Sequence, residues 1–150
     1  MRIYQGYTLL ELLVTLAIAA VLMAFVVPGF RGLIENNNVA TTSNELLGAL
    51  LYARSEAVRI EGNVTFTPEV DGWLVTAGGT DIVDQTIDNE NITLAENINT
   101  NDVTYNPRGR AAITAGDNIE VSFDGTVKSR ICLSTTGRPY IKKVYEGNCP

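Results

Sequence analysis
Apolar side chains run almost without a break from Tyr7 to Phe30, and residues 12–30 carry no charge. A helix of those 24 residues measures about 36 Å, enough to cross the roughly 30 Å hydrocarbon core of a bilayer. Glu11 alone interrupts the run with a charge. An ionisable group in apolar surroundings costs several kcal/mol unless it is paired or lies near an interface, so Glu11 is expected to have a partner. Pro28 and Gly29 fall near the far end of the run. Pro removes an intrahelical hydrogen bond and Gly loosens the backbone, so a kink is expected there. Residues 36–43 are polar, and the pattern then changes. Leu46, Leu50, Ala53, Ala57 and Ile60 recur at steps of three and four, which puts them on one helix face, with Leu47, Leu51 and Val58 widening the stripe. Gly62 and Asn63 end it, so one helix is predicted from residue 7 to about residue 61, roughly 80 Å long.

From Asn63 onward the period shortens to two. Val64-Thr65-Phe66 and Trp73-Leu74-Val75 flank Asp71-Gly72, a hairpin signal. Further strands are predicted at 92–94, 103–105, 111–114, 119–123, 127–133 and 140–144, separated by Gly116-Asp117, Asp124-Gly125 and Thr136-Gly137. Residues 80–101, rich in Asp and Asn with weak periodicity, read as a mobile loop. The fold class this predicts is α+β, a long N-terminal helix packed on an antiparallel β-sheet domain.

Composition narrows the chemistry. The chain has two cysteines and no histidine, which excludes Ser-His-Asp and Cys-His catalysis and most metal sites. No phosphate loop is present, so no catalytic residue, cofactor or metal is expected. Asp81, Asp84 and Asp88 could attract calcium but lack the spacing and glycine of an EF-hand loop. With an apolar anchor ahead of them, Cys132 and Cys149 most simply form a disulfide outside the cytosol, contributing about 3 kcal/mol by loop closure. Charge is unevenly placed. Between Arg59 and Arg108 nine acidic residues occur and no basic one, whereas from Arg108 to Lys143 seven basic residues face three acidic ones. Solvated surface explains both; the functional alternative is an acidic lobe that meets a basic neighbour and a basic patch that meets an anion.

Cutting the chain between Gly6 and Tyr7 would create an α-ammonium able to pair with Glu11, in the same chain or the next. The stretch Gly6-Tyr7-Thr8-Leu9-Leu10-Glu11 and the apolar run behind it resemble the class III signal of type IV pilins and pseudopilins. In that family a short basic leader ending in Gly is removed by a prepilin peptidase and the new first residue is N-methylated, with Glu fifth and Pro twenty-second after the cut. Counting Tyr7 as first, those places hold Glu11 and Pro28. Tyr7 stands where Phe or Met is usual, and Leu10 where Ile is frequent. A second resemblance lies in Leu50-Leu51-Tyr52-Ala53-Arg54-Ser55-Glu56-Ala57 and in two Gly-Arg turns, Gly109-Arg110 and Gly137-Arg138. These are similar to the H-type minor pseudopilins of type II secretion and the FimT/FimU minor pilins.

The resemblance implies a pilin-like protein in four parts: a leader (1–6), a membrane-spanning and filament-core helix (7–30), an amphipathic helix (31–62) and a β-rich head (63–150). It implies cleavage between Gly6 and Tyr7, methylation of Tyr7, and assembly through Glu11 and Pro28. The implied partners are prepilin peptidase, other pilins or pseudopilins and the bacterial inner membrane, with a single pass and a periplasmic head. Removing the leader takes away Arg2, leaving 10 basic and 17 acidic residues, a net of −7. The alternative function is DNA binding during uptake, since some FimT proteins carry Gly-Arg-x-Arg near the C-terminus. Here Gly137-Arg138-Pro139-Tyr140 keeps the first Arg and loses the second. Arg138, Lys142 and Lys143 would contact phosphates and Tyr140 would stack on a base, against the opposing net charge.

Overall fold
Helix α1 spans Leu9–Arg59 in the computed structural model, which describes residues 7–97, 102–114 and 116–150. The chain divides into two compact units, one ending at Asn36 and the other Asn37–Pro150.

In the first unit α1 is apolar all round. Leu12, Leu16, Ile18, Leu22 and Phe30 are each more than half exposed, the pattern of a helix whose solvent is other apolar matter rather than a core of its own. Among the described residues no single helix is long and apolar enough to cross a membrane. Leu9–Ala24 and Gly29–Arg59, bent by 42° at the break between them, pass that test together on length and composition. Pro28 lies in this break.

In the second unit α1 buries Val39, Leu46, Leu50, Ala53 and Ala57. The predicted stripe is narrower than expected: Leu51, Val58 and Ile60 are exposed and Leu47 is half-buried. Leu47, Leu51 and Val58 each follow a buried residue by one position, and a step of about 100° carries them off the packed face. Ile60 lies past the last helical residue. The helix closes with Gly62 N donating to Ala57 O (3.2 Å) and Glu61 in the left-handed region (φ 52°), so Glu61 rather than Gly62 takes the special backbone position.

Strands β1 (Val64–Glu69), β2 (Gly72–Ala77) and β3 (Thr80–Thr86) form an antiparallel meander. The chain then crosses to a second sheet as β4 (Ile92–Asn97), returns to pair with β1 as β5 (Val103–Tyr105), and leaves again for β6 (Asn118–Phe123), β7 (Thr126–Leu133) and β8 (Pro139–Lys143). The two antiparallel sheets have orders β3-β2-β1-β5 and β4-β6-β7-β8. Alternate residues point inward, and Val64, Phe66, Val75, Ile119, Val121 and Ile131 join Leu46 and Leu50 in one core. The expected α+β architecture of helix and antiparallel sheets is present.

Three local expectations are corrected. Residues 80–97 are not a mobile loop, because β3 and β4 occupy much of that segment, and residues 98–101 of the expected loop lie outside the described residues. β3 is an edge strand on which only Ile82 and Val83 are half-buried, so Asp81 and Asp84 on its exposed positions hide the alternation. Residues 111–114 form only an isolated bridge from Ala111 to Tyr105. The β1–β2 turn is Val70-Asp71, and Gly72 opens β2, where a Cβ would run into the Gln85 carbonyl of β3. By contrast Asp124-Gly125 makes the expected two-residue turn, with φ of 48° and 71°.

Candidate functional site
The start of α1 is built by Thr8. Its Oγ1 accepts a hydrogen bond from Glu11 N (3.2 Å) while its carbonyl accepts from Leu12 N (3.2 Å), which makes Thr8 the N-cap. Thr8-Leu9-Leu10-Glu11 is thus one half of a capping box, a signal that sequence reasoning could have used and did not. Glu11 sits in the first turn, where the unsatisfied N–H groups make the helix end positive and favour an anion. An α-ammonium at Tyr7 would add a like charge to that end of its own helix. Tyr7 is 89% exposed and Glu11 is exposed, so both are open to groups from outside the chain. Gly6 lies outside the described residues.

The C-terminal basic residues do not converge. Arg138 is exposed on the β7–β8 turn, which is closed by Ser134 N to Arg138 O (3.0 Å) and by Arg138 N to Ser134 Oγ (3.0 Å). Lys142 Nζ donates to the Asn148 carbonyl at 2.7 Å. Lys143 lies 5.8 Å from the centroid of the Tyr145 ring. Tyr140 is half-buried and shares a strand face with Lys142, while Lys143 faces the other way. Next to Lys142 in the ladder, Arg130 Nε donates to Glu120 Oε1 at 2.8 Å, so its charge is met within the sheet. Cys132 and Cys149 form the expected disulfide, with Cα atoms 5.6 Å apart.

The two Gly-Arg turns have a packing role. Asn106 Oδ1 accepts from Arg108 N (2.9 Å) and Arg110 N (3.1 Å), and Gly109 (φ 67°) offers its carbonyl to Arg54 Nε of α1 at 2.8 Å. Arg54, which sequence reasoning left without a role, ties the first turn to the helix. Gly137 (φ 78°) in the second turn lies so close to the chain that a Cβ would stand 2.6 Å from Ala111 N and 3.2 Å from Tyr105 Cε1. The Tyr105 hydroxyl is buried with no hydrogen-bond partner, and burial pushes its pKa well up, against a smaller lowering by Arg54. At the end of α1, Arg59 grips Glu56 through Nε (2.7 Å) and Nη2, and these hydrogen bonds hold the Glu56 carboxyl below its ordinary range. Among the described residues no group of three or more His, Cys, Asp or Glu gathers as a metal site, and Asp81, Asp84 and Asp88 form none.

Comparison with known proteins gives a consistent picture. The family model of the type II transport protein GspH matches residues 42–137, and that of the prokaryotic N-terminal methylation motif matches residues 1–27. A crystal structure of the type IV minor pilin FimU of Pseudomonas aeruginosa strain PAO1 superposes with a TM-score of 0.55 at 18% identity, covering 73% of this chain and 95% of that one. The similarity establishes a common fold. No curated protein sequence matches.

Proposed function
We propose, from the premise that the chain belongs to the type II transport protein GspH family, that it is a structural subunit cut between Gly6 and Tyr7, N-methylated on Tyr7 and assembled through α1 into a filament of the type IV pilus or type II secretion class. The observation that carries this reading is the N-terminal methylation motif over residues 1–27, which includes Gly6, Tyr7 and Glu11. On this reading residues 1–6 are the leader, 7–30 anchor the chain in the inner membrane and later enter the filament core, and 31–62 link them to the head of 63–150 on the periplasmic side. Glu11 supplies the register. A carboxylate buried unpaired in apolar surroundings is costly, and the Tyr7 α-ammonium of a neighbouring subunit is a cation of matching position and charge. Pro28 gives the helix a place to bend as it moves from bilayer to filament.

DNA contact through Arg138, Tyr140, Lys142 and Lys143 is the weaker reading, because Lys142 is engaged by Asn148 and Arg130 by Glu120, which leaves few cations for phosphate. The intact mass of membrane-extracted protein tests the main one. A chain beginning at methylated Tyr7 is expected, with Glu11→Val still inserting in the membrane but entering filaments about tenfold less, ~1.4 kcal/mol. A mature chain that keeps residues 1–6 in cells with an active prepilin peptidase overturns it.

A further inference from the structure
Two turns far apart in the chain meet at one edge of the second unit. The β7–β8 turn lies so close to the segment that follows β5 that a Cβ on Gly137 would stand 2.6 Å from Ala111 N. Arg138 and Arg110 are the chain neighbours of those two residues, so they leave adjoining stretches of backbone, and Arg108 belongs to the same 106–110 turn. All three arginines are exposed. Their turns are held by backbone N–H groups, which Asn106 Oδ1 and Ser134 Oγ accept, so the guanidiniums are not what builds the local structure. Among the described residues none of the three is paired with a carboxylate. Like charges gathered without a counter-charge repel one another, a cost that an anionic partner removes.

We propose that this arginine patch docks on the β3 edge of a second copy of the chain. The sheet order β3-β2-β1-β5 puts the two surfaces at opposite edges of one sheet, three strand spacings or about 14 Å apart, farther than an arginine side chain reaches, so a copy cannot neutralise its own patch. The β3 edge is complementary in charge. Asp81 and Asp84 are exposed on it and, among the described residues, unpaired, and no basic residue occurs between Arg59 and Arg108 to offset them. It is complementary in hydrogen bonding as well. Because β3 ends its sheet, its outer side offers carbonyl oxygens to the guanidinium N–H donors that the carboxylates do not use. A contact between unlike edges runs head to tail, so each added copy leaves one surface of each kind free at the ends, the symmetry of an open chain rather than of a closed dimer. A phosphate polymer is the poorer occupant. The net charge of −6 and the acidic edge repel it, whereas a second copy brings surfaces of both signs in one body.

The contact involves the second unit alone, so its test leaves cleavage and assembly through α1 untouched. Full-length Arg108→Lys/Arg110→Lys/Arg138→Lys keeps the charges and supplies amines to a zero-length carbodiimide. Unlabelled and nitrogen-15 protein, each carried singly in excess detergent micelles, are mixed and cross-linked at about 0.02 M and about 0.5 M salt. Expected are peptides that join position 108, 110 or 138 to Asp81 or Asp84 with one isotope on each side, at least fivefold fewer at about 0.5 M salt because exposed ion pairs are screened. Two charge reversals guard against misfolding. Asp81→Lys/Asp84→Lys and Arg108→Glu/Arg110→Glu/Arg138→Glu should each give no mixed-isotope product alone, and mixing the two should restore cross-links between the substituted positions. Products confined to one isotope, insensitivity to salt, or no recovery in the mixture overturns the proposal. Duplex DNA bound at the patch with no mixed-isotope product overturns the second copy as its partner.

Discussion
Gly137 and Tyr105 meet where the β7–β8 turn lies on the β5 strand, and each sets a cost that a single substitution reads out. A methyl group at position 137 meets Ala111 N and must also hold φ at 78°, a region that disfavours side chains. Gly137→Ala is therefore expected to lose about 2–4 kcal/mol, visible as a lower denaturant midpoint with an unchanged slope. Tyr105 carries the opposite balance. Its ring fills the core but its hydroxyl is desolvated without a partner, so Tyr105→Phe keeps the packing, removes the penalty and should gain about 1 kcal/mol. Because the folded pKa is raised, the neutral phenol supports the fold fully below the ordinary tyrosine value of about 10 and that support is lost as pH rises through the folded value. Stability of the parent chain should fall above about pH 10 more steeply than that of Tyr105→Phe; identical alkaline profiles would contradict this account.

At the scale of elements, α1 is a helix with one packed face, and neighbouring leucines test where that face ends. Leu50 is wholly buried and Leu51 is 44% exposed, so Leu50→Ala is expected to cost about 2–5 kcal/mol and Leu51→Ala less than about 0.5 kcal/mol in thermal or denaturant melts. Comparable losses would mean that the helix packs on a different face. Leu46, Leu50, Ala53 and Ala57 were legible because a period of 3.6 shows in apolar spacing. The limits of the stripe were not, because Leu47, Leu51 and Val58 are as apolar as the residues they flank. Strand β3 was missed for a related reason. An edge strand needs little burial, so its alternation is faint, yet the Gly78-Gly79 pair before it has φ of 58° and 83° and is a two-residue hairpin signal in its own right. Gly72 misled in the other direction, since its small size serves the approach of β3 rather than a turn. Of the candidate functional features, the Glu11 spacing was plain in the sequence. The tie from Arg54 to the Gly109 carbonyl was not, because residues so far apart in the chain share no period.

For the whole molecule, the disulfide is the strongest local constraint on the last segment. Cys132 in β7 holds Cys149, while Lys142 Nζ and Gly116 N bond the carbonyls of Asn148 and Pro150. Replacing both cysteines by alanine is expected to lower unfolding free energy by about 3 kcal/mol, chiefly by freeing the unfolded chain, with the strand order retained by amide exchange. An unchanged midpoint would show that the surrounding hydrogen bonds alone suffice. The order of strands between the two sheets has a consequence in time. A chain that emerges N-terminus first makes β1, β2 and β3 in succession, but the other edge of β1 finds no partner until Val103–Tyr105 has followed. During that interval β4 also waits for β6, so each half-built sheet presents a bare strand to any other nascent copy nearby. Pausing emergence between β4 and β5 prolongs that vulnerable state, and the rate at which the chain emerges becomes a determinant of how much of it reaches its folded form.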